Sequence, residues 1–118
     1  MQPDFARTFA HDWIAAWNTH DLVRILAHYD DEVQLTSPVA RRFLDGGDTI
    51  RGKAALREYF RQGLQAYPQM RFDFLEVLWG IETVVVRYIN SVSGGPSAEV
   101  MLFNAAGKVT RVWANYDH

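Results

Sequence analysis

The second half of the chain consists almost entirely of segments whose composition is typical of β-strands. Four runs rich in β-branched and aromatic residues lie at positions 70–79, 81–92, 97–104 and 108–116. The segments between them contain glycine, proline and asparagine, which are the residues of tight hairpin turns. The pattern therefore predicts an antiparallel meander of four strands, and the first half of the chain has to cover one side of that sheet.

An aromatic stripe marks a long helix at the start of the chain. After Pro3, which suits the first turn of a helix, large aromatic side chains recur every four positions, at Phe5, Phe9, Trp13 and Trp17. This spacing places them on one face of a helix that is predicted to run from about Pro3 to Asn18. Such a face has to be buried against another apolar surface, and the predicted sheet provides one.

A second helix and an early strand are predicted after the aromatic stripe. Asp21 suits the N-cap of a short helix, and the alternating segment before Pro38 predicts a strand from Val33 to Thr36. The run Asp-Asp-Glu at 30–32 lacks the alternating oxygen ligands and the glycine of a calcium loop. We therefore expect residues 30–32 to form a solvated turn.

The order of elements predicts an α+β fold. Residues 39–49 have the composition of a loop, and helical spacing then returns in a third helix that stops at Pro68. Helices segregated from an antiparallel sheet define the α+β class. The predicted architecture is a cone-shaped barrel of strongly curved, mainly antiparallel sheet, closed by three helices from the N-terminal half, in a single domain over residues 1–118.

The composition excludes several kinds of partner. The formal charge is −2 and the basic residues form no block, which argues against binding to nucleic acid or to an anionic membrane. The chain has no cysteine, so disulfides and thiolate sites are excluded, and a cytoplasmic location is expected. No apolar run reaches the roughly 18 residues of a membrane span, and residues 1–4 have no feature of a signal peptide.

The histidines do not form a metal-binding pattern. No two of them have the i, i+4 spacing of ligands on one helix, and no cysteine accompanies them: His11, His20, His28 and His118. We therefore expect neither a metal nor another cofactor.

Both faces of the last two predicted strands carry large apolar side chains. The face turned away from the helices is predicted to carry Val100, Leu102, Val109 and Trp113. A sheet with water on one side normally alternates apolar with polar residues. We therefore expect a second copy of the chain to cover this outer face in a homodimer.

Four stretches of the sequence together resemble the nuclear transport factor 2-like superfamily. They are WIAAWNTHDLVRILAHYDDEVQLTSP, IRGKAALREYF, SAEVMLFNAAGKV and RVWANYDH. Within that superfamily the chain most resembles bacterial SnoaL-like proteins, which are relatives of polyketide cyclases, ketosteroid isomerases and limonene epoxide hydrolases. The resemblance covers nearly the whole chain and implies a cone with a pocket for a mostly apolar, carbonyl-type ligand. It implies no single activity, because this fold hosts enzymes, binding proteins and transport adaptors.

The resemblance allows the catalytic groups of ketosteroid isomerases to be compared one at a time. Their aspartate base corresponds to Ser37, which cannot take a proton from carbon without a neighbouring base. Their oxyanion tyrosine corresponds to Trp13, and their second oxyanion donor, a neutral aspartic acid, corresponds to Glu99. Apolar surroundings are expected to push the carboxyl of Glu99 toward its neutral, donating form. Only this last group is retained in kind, so steroid-type isomerisation is disfavoured.

Two related chemistries also lack essential groups. Epoxide hydrolases share an arginine on the strand that holds Arg87, but their two aspartates correspond to Ala114 and Ile89. The acid that polyketide cyclases use in the last strand corresponds to Ala114 as well. If the chain is an enzyme, the resemblance leaves mild acid–base chemistry, with Glu99 as acid or hydrogen-bond donor.

The predicted site combines this carboxyl with a largely apolar wall. The predicted ligand-binding residues are Trp13, Trp17, Ser37, Phe60, Tyr88, Met101, Phe103, Val112, Ala114 and Tyr116. Two structural alternatives stay open. In the first alternative, the carboxylate of Glu99 is paired with Arg87 or with a tyrosine hydroxyl and has no ligand-binding role. In the second, the two tryptophans are core residues.

Two classes of function follow from these predictions. In the first, the cone binds a small apolar organic molecule, with or without mild acid–base chemistry. In the second, the chain is a non-catalytic interaction module that uses the face of its sheet. A cavity of about a few hundred Å³ with a polar floor favours the first, and a cone filled by Trp13, Phe103 and Tyr116 favours the second.

Overall fold

The computed structural model describes residues 1–117, with the helices in the first half of the chain and most of the sheet in the second. The helices are α1 (Pro3–Asn18), α2 (Leu22–Leu26) and α3 (Lys53–Ala66), with a short 3₁₀ helix at Ala40–Arg42. The strands are β1 (Tyr29–Thr36), β2 (Thr49–Arg51), β3 (Phe72–Trp79), β4 (Thr83–Asn90), β5 (Pro96–Phe103) and β6 (Val109–Tyr116). The predicted α+β class is confirmed.

All the strands of the described chain belong to one mixed sheet, in the order β2-β1-β6-β5-β4-β3. Strands β3 to β6 form the predicted antiparallel meander, whereas β1 pairs in parallel with β6 and antiparallel with β2. The strand register shifts between Tyr29 and Gln34, between Phe74 and Glu76, and between Leu102 and Phe103. Such bulges bend a strand and increase its twist, so they help to curve the sheet around its contents.

Strand β1 begins earlier than the sequence predicts. It starts at Tyr29, which pairs with Val109 of β6, so residues 30–32 lie in a strand and the prediction of a solvated turn was wrong. Tyr29 is therefore the first residue of β1, with two residues between it and the end of α2 at Leu26. The acidic side chains hid this strand because Asp31 and Glu32 are exposed and break the apolar alternation.

The predicted loop at residues 39–49 also contains regular structure. It begins with the 3₁₀ helix at Ala40–Arg42 and ends in the edge strand β2, whose three residues pair with the end of β1. Only Ile50 of β2 is buried. A strand of this length with one buried residue has no alternation that a sequence could reveal.

Helix α1 packs its aromatic stripe against the sheet, as predicted. Trp13 is 1% exposed, and its ring lies 5.7 Å from that of Phe72 on β3. Trp17 meets Phe60 of α3 edge to face at 4.7 Å. The side chain of Asn18 then joins the end of α1 to β3, since it donates to the carbonyl of Phe72 at 2.9 Å and accepts from the N–H of Phe72 at 2.7 Å.

Short polar contacts fix α2 beside α1. Asp21 caps α2 by accepting a hydrogen bond from the N–H of Arg24 at 3.1 Å, which confirms the predicted N-cap. The carboxylate of Asp12 on α1 contacts the guanidinium of Arg24 at 2.5 Å and the ring of His28 at 2.7 Å. His28 therefore has a structural role at the junction of α1, α2 and β1.

The outer face of the sheet carries several large apolar side chains, with one correction to the prediction. The bulge between Leu102 and Phe103 places Val109 opposite Phe103, so Val109 is fully buried and does not belong to the outer face. Trp113 on β6 is 37% exposed and Leu78 on β3 is 49% exposed. A row of apolar side chains therefore crosses the outside of the meander, beside the ion pair of Arg87 with Glu76. Within residues 1–117, no helix is long and apolar enough to cross a membrane.

Candidate functional site

A cavity of about 480 Å³ lies between α3, the 3₁₀ helix and the inner face of the sheet. Its inner walls are apolar, with Trp17, Phe60 and Phe72 among them. Exposed side chains surround its mouth: Phe43, Tyr67 and Val92, which are 51%, 47% and 45% exposed. The concave side of the sheet therefore encloses space that the core side chains leave open.

Glu99 lies at the floor of this cavity. It is on β5, where Ser97, Glu99, Met101 and Phe103 face inward and are buried while the residues between them face outward. Burial raises the pKa of Glu99 to about 7, against a smaller opposite effect of the hydrogen bond from Tyr88. The protonated and ionised forms of this carboxyl are therefore both populated near neutral pH.

Tyr88 is the hydrogen-bond partner of Glu99. Its hydroxyl donates to Oε1 of Glu99 at 3.1 Å from the neighbouring strand β4. Arg87, the other partner considered, is on the opposite face of β4, where it forms an ion pair with Glu76 at 2.5 Å. Glu99 is thus held by a neutral hydroxyl, which does not stabilise its charge as a guanidinium would.

Three tyrosines, Tyr59, Tyr88 and Tyr116, line the cavity together with the carboxyl. Burial raises the pKa of Tyr88 and of Tyr116 well above the ordinary value, and it raises the pKa of Tyr59 to about 12. The negative charge of Glu99 acts in the same direction on each of them. These phenols therefore stay neutral and keep their protons for hydrogen bonds.

Ser37 stands beside this group at the end of β1. Its hydroxyl lies 3.5 Å from that of Tyr116 and accepts a hydrogen bond from the N–H of Val39 at 3.1 Å. The residue is 1% exposed. The hydrogen bond from Val39 to its hydroxyl fixes the backbone turn that follows β1. No carboxylate or imidazole contacts it among the described residues, so it has no base to activate it.

The structure separates the predicted ligand-binding residues into two groups. Those that line the cavity, together with Glu99, are Trp17, Ser37, Phe60, Tyr88, Ala114 and Tyr116. Those that lie in the core and do not line it are Trp13, Met101, Phe103 and Val112. Alternation along a strand selects the inner face, but it does not distinguish the part of that face beneath α1 from the part that borders the cavity.

Trp13 and Phe103 illustrate why part of the inner face is unavailable to a ligand. The indole N–H of Trp13 donates to the hydroxyl of Tyr29 at 2.9 Å, so it is already used within the core. Phe103 packs edge to face against Phe5 and Phe9 of α1, at 5.4 and 4.8 Å. Both residues therefore support the cavity from behind.

Sequence reasoning missed several residues of the cavity. Tyr59 and Gly63 lie one helical turn apart on α3, and both line the cavity. Their helical spacing next to the predicted site residue Phe60 could have identified them. Arg42 and Phe43 come from the segment predicted to be a loop, where no periodicity identifies an inner side. Their position depends on how that segment folds over the mouth.

The residues that correspond to epoxide hydrolase groups do not meet in the cavity. Inward-facing side chains of β4 are Val84, Val86 and Tyr88, so Arg87 and Ile89 belong to the outer face. Ala114 does line the cavity but carries no acid. The constellation that would activate water is therefore not assembled.

No group of three or more His, Cys, Asp or Glu side chains within residues 1–117 is arranged to hold a metal ion. His20 contacts the carbonyl of Met70 through Nε2 at 2.7 Å, and the ring of His11 lies 5.2 Å from that of Phe74. His118 lies outside the described residues. The histidines that are described serve packing and local hydrogen bonds.

The family of the chain follows from comparison with known proteins. Residues 10–114 match the family model of the SnoaL-like domain. The chain belongs to the SnoaL-like family. A SnoaL-like protein of unknown function from Burkholderia thailandensis E264 is 31% identical, with 100% of this chain and 99% of that chain covered and a TM-score of 0.95. No significant match is found among curated proteins.

More distant structures share the SnoaL-like fold. A nuclear transport factor 2-like protein of unknown function from Cytophaga hutchinsonii ATCC 33406 is 12% identical, with 95% of this chain and 89% of that chain covered and a TM-score of 0.73. TerC, co-crystallised with polyporic acid, is 20% identical, with 96% and 92% covered and a TM-score of 0.77. At these identities the likeness shows the fold alone.

Proposed function

We propose that this SnoaL-like protein binds a small, mostly apolar organic molecule in its cavity, with Glu99 and the neighbouring tyrosines contacting an oxygen atom of the ligand. The observation that carries the proposal is an open cavity of about 480 Å³ whose floor holds a buried carboxyl with a pKa of about 7. Cavities of roughly 300–1,000 Å³ with apolar walls and a few convergent polar groups are typical of small-molecule sites.

The arrangement of polar groups favours a carbonyl or hydroxyl oxygen at the floor. Protonated Glu99 and the phenol of Tyr116 are donors for a carbonyl oxygen, ionised Glu99 is an acceptor for a hydroxyl, and the O–H of Tyr88 is already used on Glu99. The aromatic walls remove the apolar part of such a ligand from water, which stabilises the complex by about 25 cal/mol per Å² of buried apolar area. Binding thus needs both an apolar body and one polar end.

The same carboxyl supports a limited chemistry. Glu99 is the only carboxylic acid among the described residues that line the cavity, and its pKa is close to neutral pH. A group with this pKa can both give and take a proton, as mild isomerase-like or cyclase-like reactions require. We propose this role for Glu99 without a metal or another cofactor. Glu99→Gln with unchanged turnover of an identified substrate would contradict it.

TerC offers independent support for a small organic ligand in this fold. It was co-crystallised with polyporic acid, and its TM-score with this chain is 0.77. The competing function, an interaction module with a filled cone, is less well supported because the cavity is open. Tyr116 lines that cavity, while Trp13 and Phe103 lie in the core behind it.

We propose further that a second copy of the chain covers the outer face of the sheet. Leu78 and Trp113 are 49% and 37% exposed there, and Val100 and Leu102 lie between them. A two-fold dimer would bury this surface on both copies at once. A monomer in sedimentation at micromolar concentration would contradict this part of the proposal.

Native mass spectrometry on gently purified protein tests binding and subunit number together. A dimer with a mass above that of two denatured chains supports the proposal and gives the mass of the retained molecule. A protein that carries no added mass, and to which no member of a library of apolar carbonyl compounds binds in the same experiment, would contradict small-molecule binding. The interaction module would then be the better description.

A further inference from the structure

We propose that the ligand is an organic anion, whose acidic group is held at the mouth of the cavity by Arg42 while a neutral oxygen at its other end reaches Glu99. This inference rests on the proposed binding function and names the chemical class of the ligand. It follows from the distribution of charge along the cavity wall.

Arg42 and Glu99 are the only described lining residues with a charged type of side chain. Arg42 is exposed at the mouth, and Glu99 is buried at the floor. No described residue forms an ion pair or a hydrogen bond with the guanidinium of Arg42, whereas the neighbouring Arg41 is paired with Asp48 at 3.8 Å. The cavity thus has an unpaired cation at its entrance.

The charge of Arg42 acts on a phenol that lines the cavity. It lowers the pKa of Tyr59, although the larger effect of burial raises that pKa to about 12. Tyr59 is on α3 and lines the cavity together with Phe60. A positive potential that acts on a cavity phenol also acts on a ligand in the same space.

An acidic ligand would satisfy both ends of the cavity. A guanidinium binds carboxylate or sulfonate groups through two parallel hydrogen bonds, so Arg42 is suited to an anion that approaches from solvent. Glu99 disfavours a second negative charge at the floor, because an ionised carboxylate repels an anion. The two groups therefore fix the direction of the ligand, with its acidic end outward and its neutral oxygen inward.

Two fluorescent probes that differ by one charge test this inference. The sulfonate 8-anilinonaphthalene-1-sulfonate and the uncharged N-phenyl-1-naphthylamine share the same aromatic rings. Arg42→Ala should weaken the binding of the sulfonate probe about five- to tenfold, as expected for a partly exposed, hydrogen-bonded ion pair. The same substitution should change the affinity for the neutral probe by less than about twofold. Arg41→Ala is the matched control, and it should leave both affinities unchanged.

A blocked cavity shows where the probes bind. Gly63 lies on α3 and lines the cavity, and a Cβ added there meets nothing within 4 Å, so Gly63→Phe should fill the cavity and abolish the binding of both probes. Ala114→Phe is a second blocking variant, for use if circular dichroism shows that the first does not fold. High salt should reduce the difference between the probes.

The outcomes separate the two proposals. If both probes need an open cavity but Arg42→Ala changes neither affinity, the anionic ligand class is wrong and the binding function stands. If neither probe binds the unmodified protein, or if both still bind a folded, blocked variant, the binding function itself is contradicted and the inference falls with it.

Discussion

Replacing Glu99 with glutamine should alter the pH dependence of stability in a defined direction. Burial raises the pKa of Glu99 from 4.5 to about 7. Between these values the folded protein keeps a proton that the unfolded chain releases, so a rise in pH favours unfolding. The stabilisation that this proton provides is fully present below pH 4.5 and is lost as the pH rises through about 7.

The size of the effect follows from the difference between the two pKa values. Each pKa unit corresponds to about 1.4 kcal/mol, so a rise from 4.5 to about 7 corresponds to about 3 kcal/mol of unfolding free energy. Glutamine has nearly the same shape, retains a hydrogen-bonding group for Tyr88 and does not titrate. Relative to the unmodified protein, Glu99→Gln should therefore gain about 3 kcal/mol of stability between about pH 4.5 and 8.5.

Urea denaturation followed by tryptophan fluorescence measures this difference at both pH values. Groups such as His28 titrate in both proteins, so their contribution cancels in the comparison. Glu32→Gln removes an exposed carboxyl from β1 and is the matched control, for which we expect no such gain. If the stability difference between Glu99→Gln and the unmodified protein is the same at both pH values, Glu99 is not held neutral by burial. The assignment of Glu99 as a proton donor would then lose its basis.

Three further substitutions test other parts of the structure. Gly63→Ala should raise the unfolding free energy by about 0.5–1 kcal/mol, because the helix gains a better helix former whose Cβ meets nothing within 4 Å; an unchanged urea midpoint would contradict this. Tyr88→Phe removes the hydrogen bond that lowers the pKa of Glu99, so the pKa of Glu99 measured by carbon NMR should rise above about 7, and a fall would refute the geometry. Asn18→Ala breaks both hydrogen bonds to the backbone of Phe72 and should cost about 1–2 kcal/mol in urea denaturation, whereas Thr19→Ala should cost less.

The elements that the sequence predicts well are those whose signals are local. The aromatic stripe of α1, the cap at Asp21 and the hairpin turns of the meander each lie within a few residues of the structure that they specify. Strand β2 and the start of β1 were missed because their strand structure comes from pairing with distant partners, as Tyr29 with Val109 shows. Val109 was assigned to the wrong face because one bulge at Phe103 reverses the alternation.

The candidate site was predictable only in part for a related reason. Glu99 and Tyr88 are on adjacent strands and face the same side, so alternation along the sheet placed them together. Arg42 and Phe43 reach the cavity through a non-repetitive segment, whose path no pattern in the sequence describes. The inner face of a regular strand can thus be predicted from the sequence, although a bulge such as the one that buries Val109 reverses the alternation. The path of the loop that borders the cavity cannot be predicted in this way.

The parallel pairing of β1 with β6 has a consequence for the order of folding. Thr36 lies opposite Trp113, so most of the chain has to be synthesised before β1 can gain its neighbour on that side. Closing so long a loop costs conformational entropy before the contacts between the two strands can form and stabilise it. Proteins rich in such distant contacts therefore fold slowly. Ser37 and Tyr116 come together by the same closure, which makes the cavity a late product of folding. Ligand binding during refolding should therefore report the final step, after the helices and hairpins have formed.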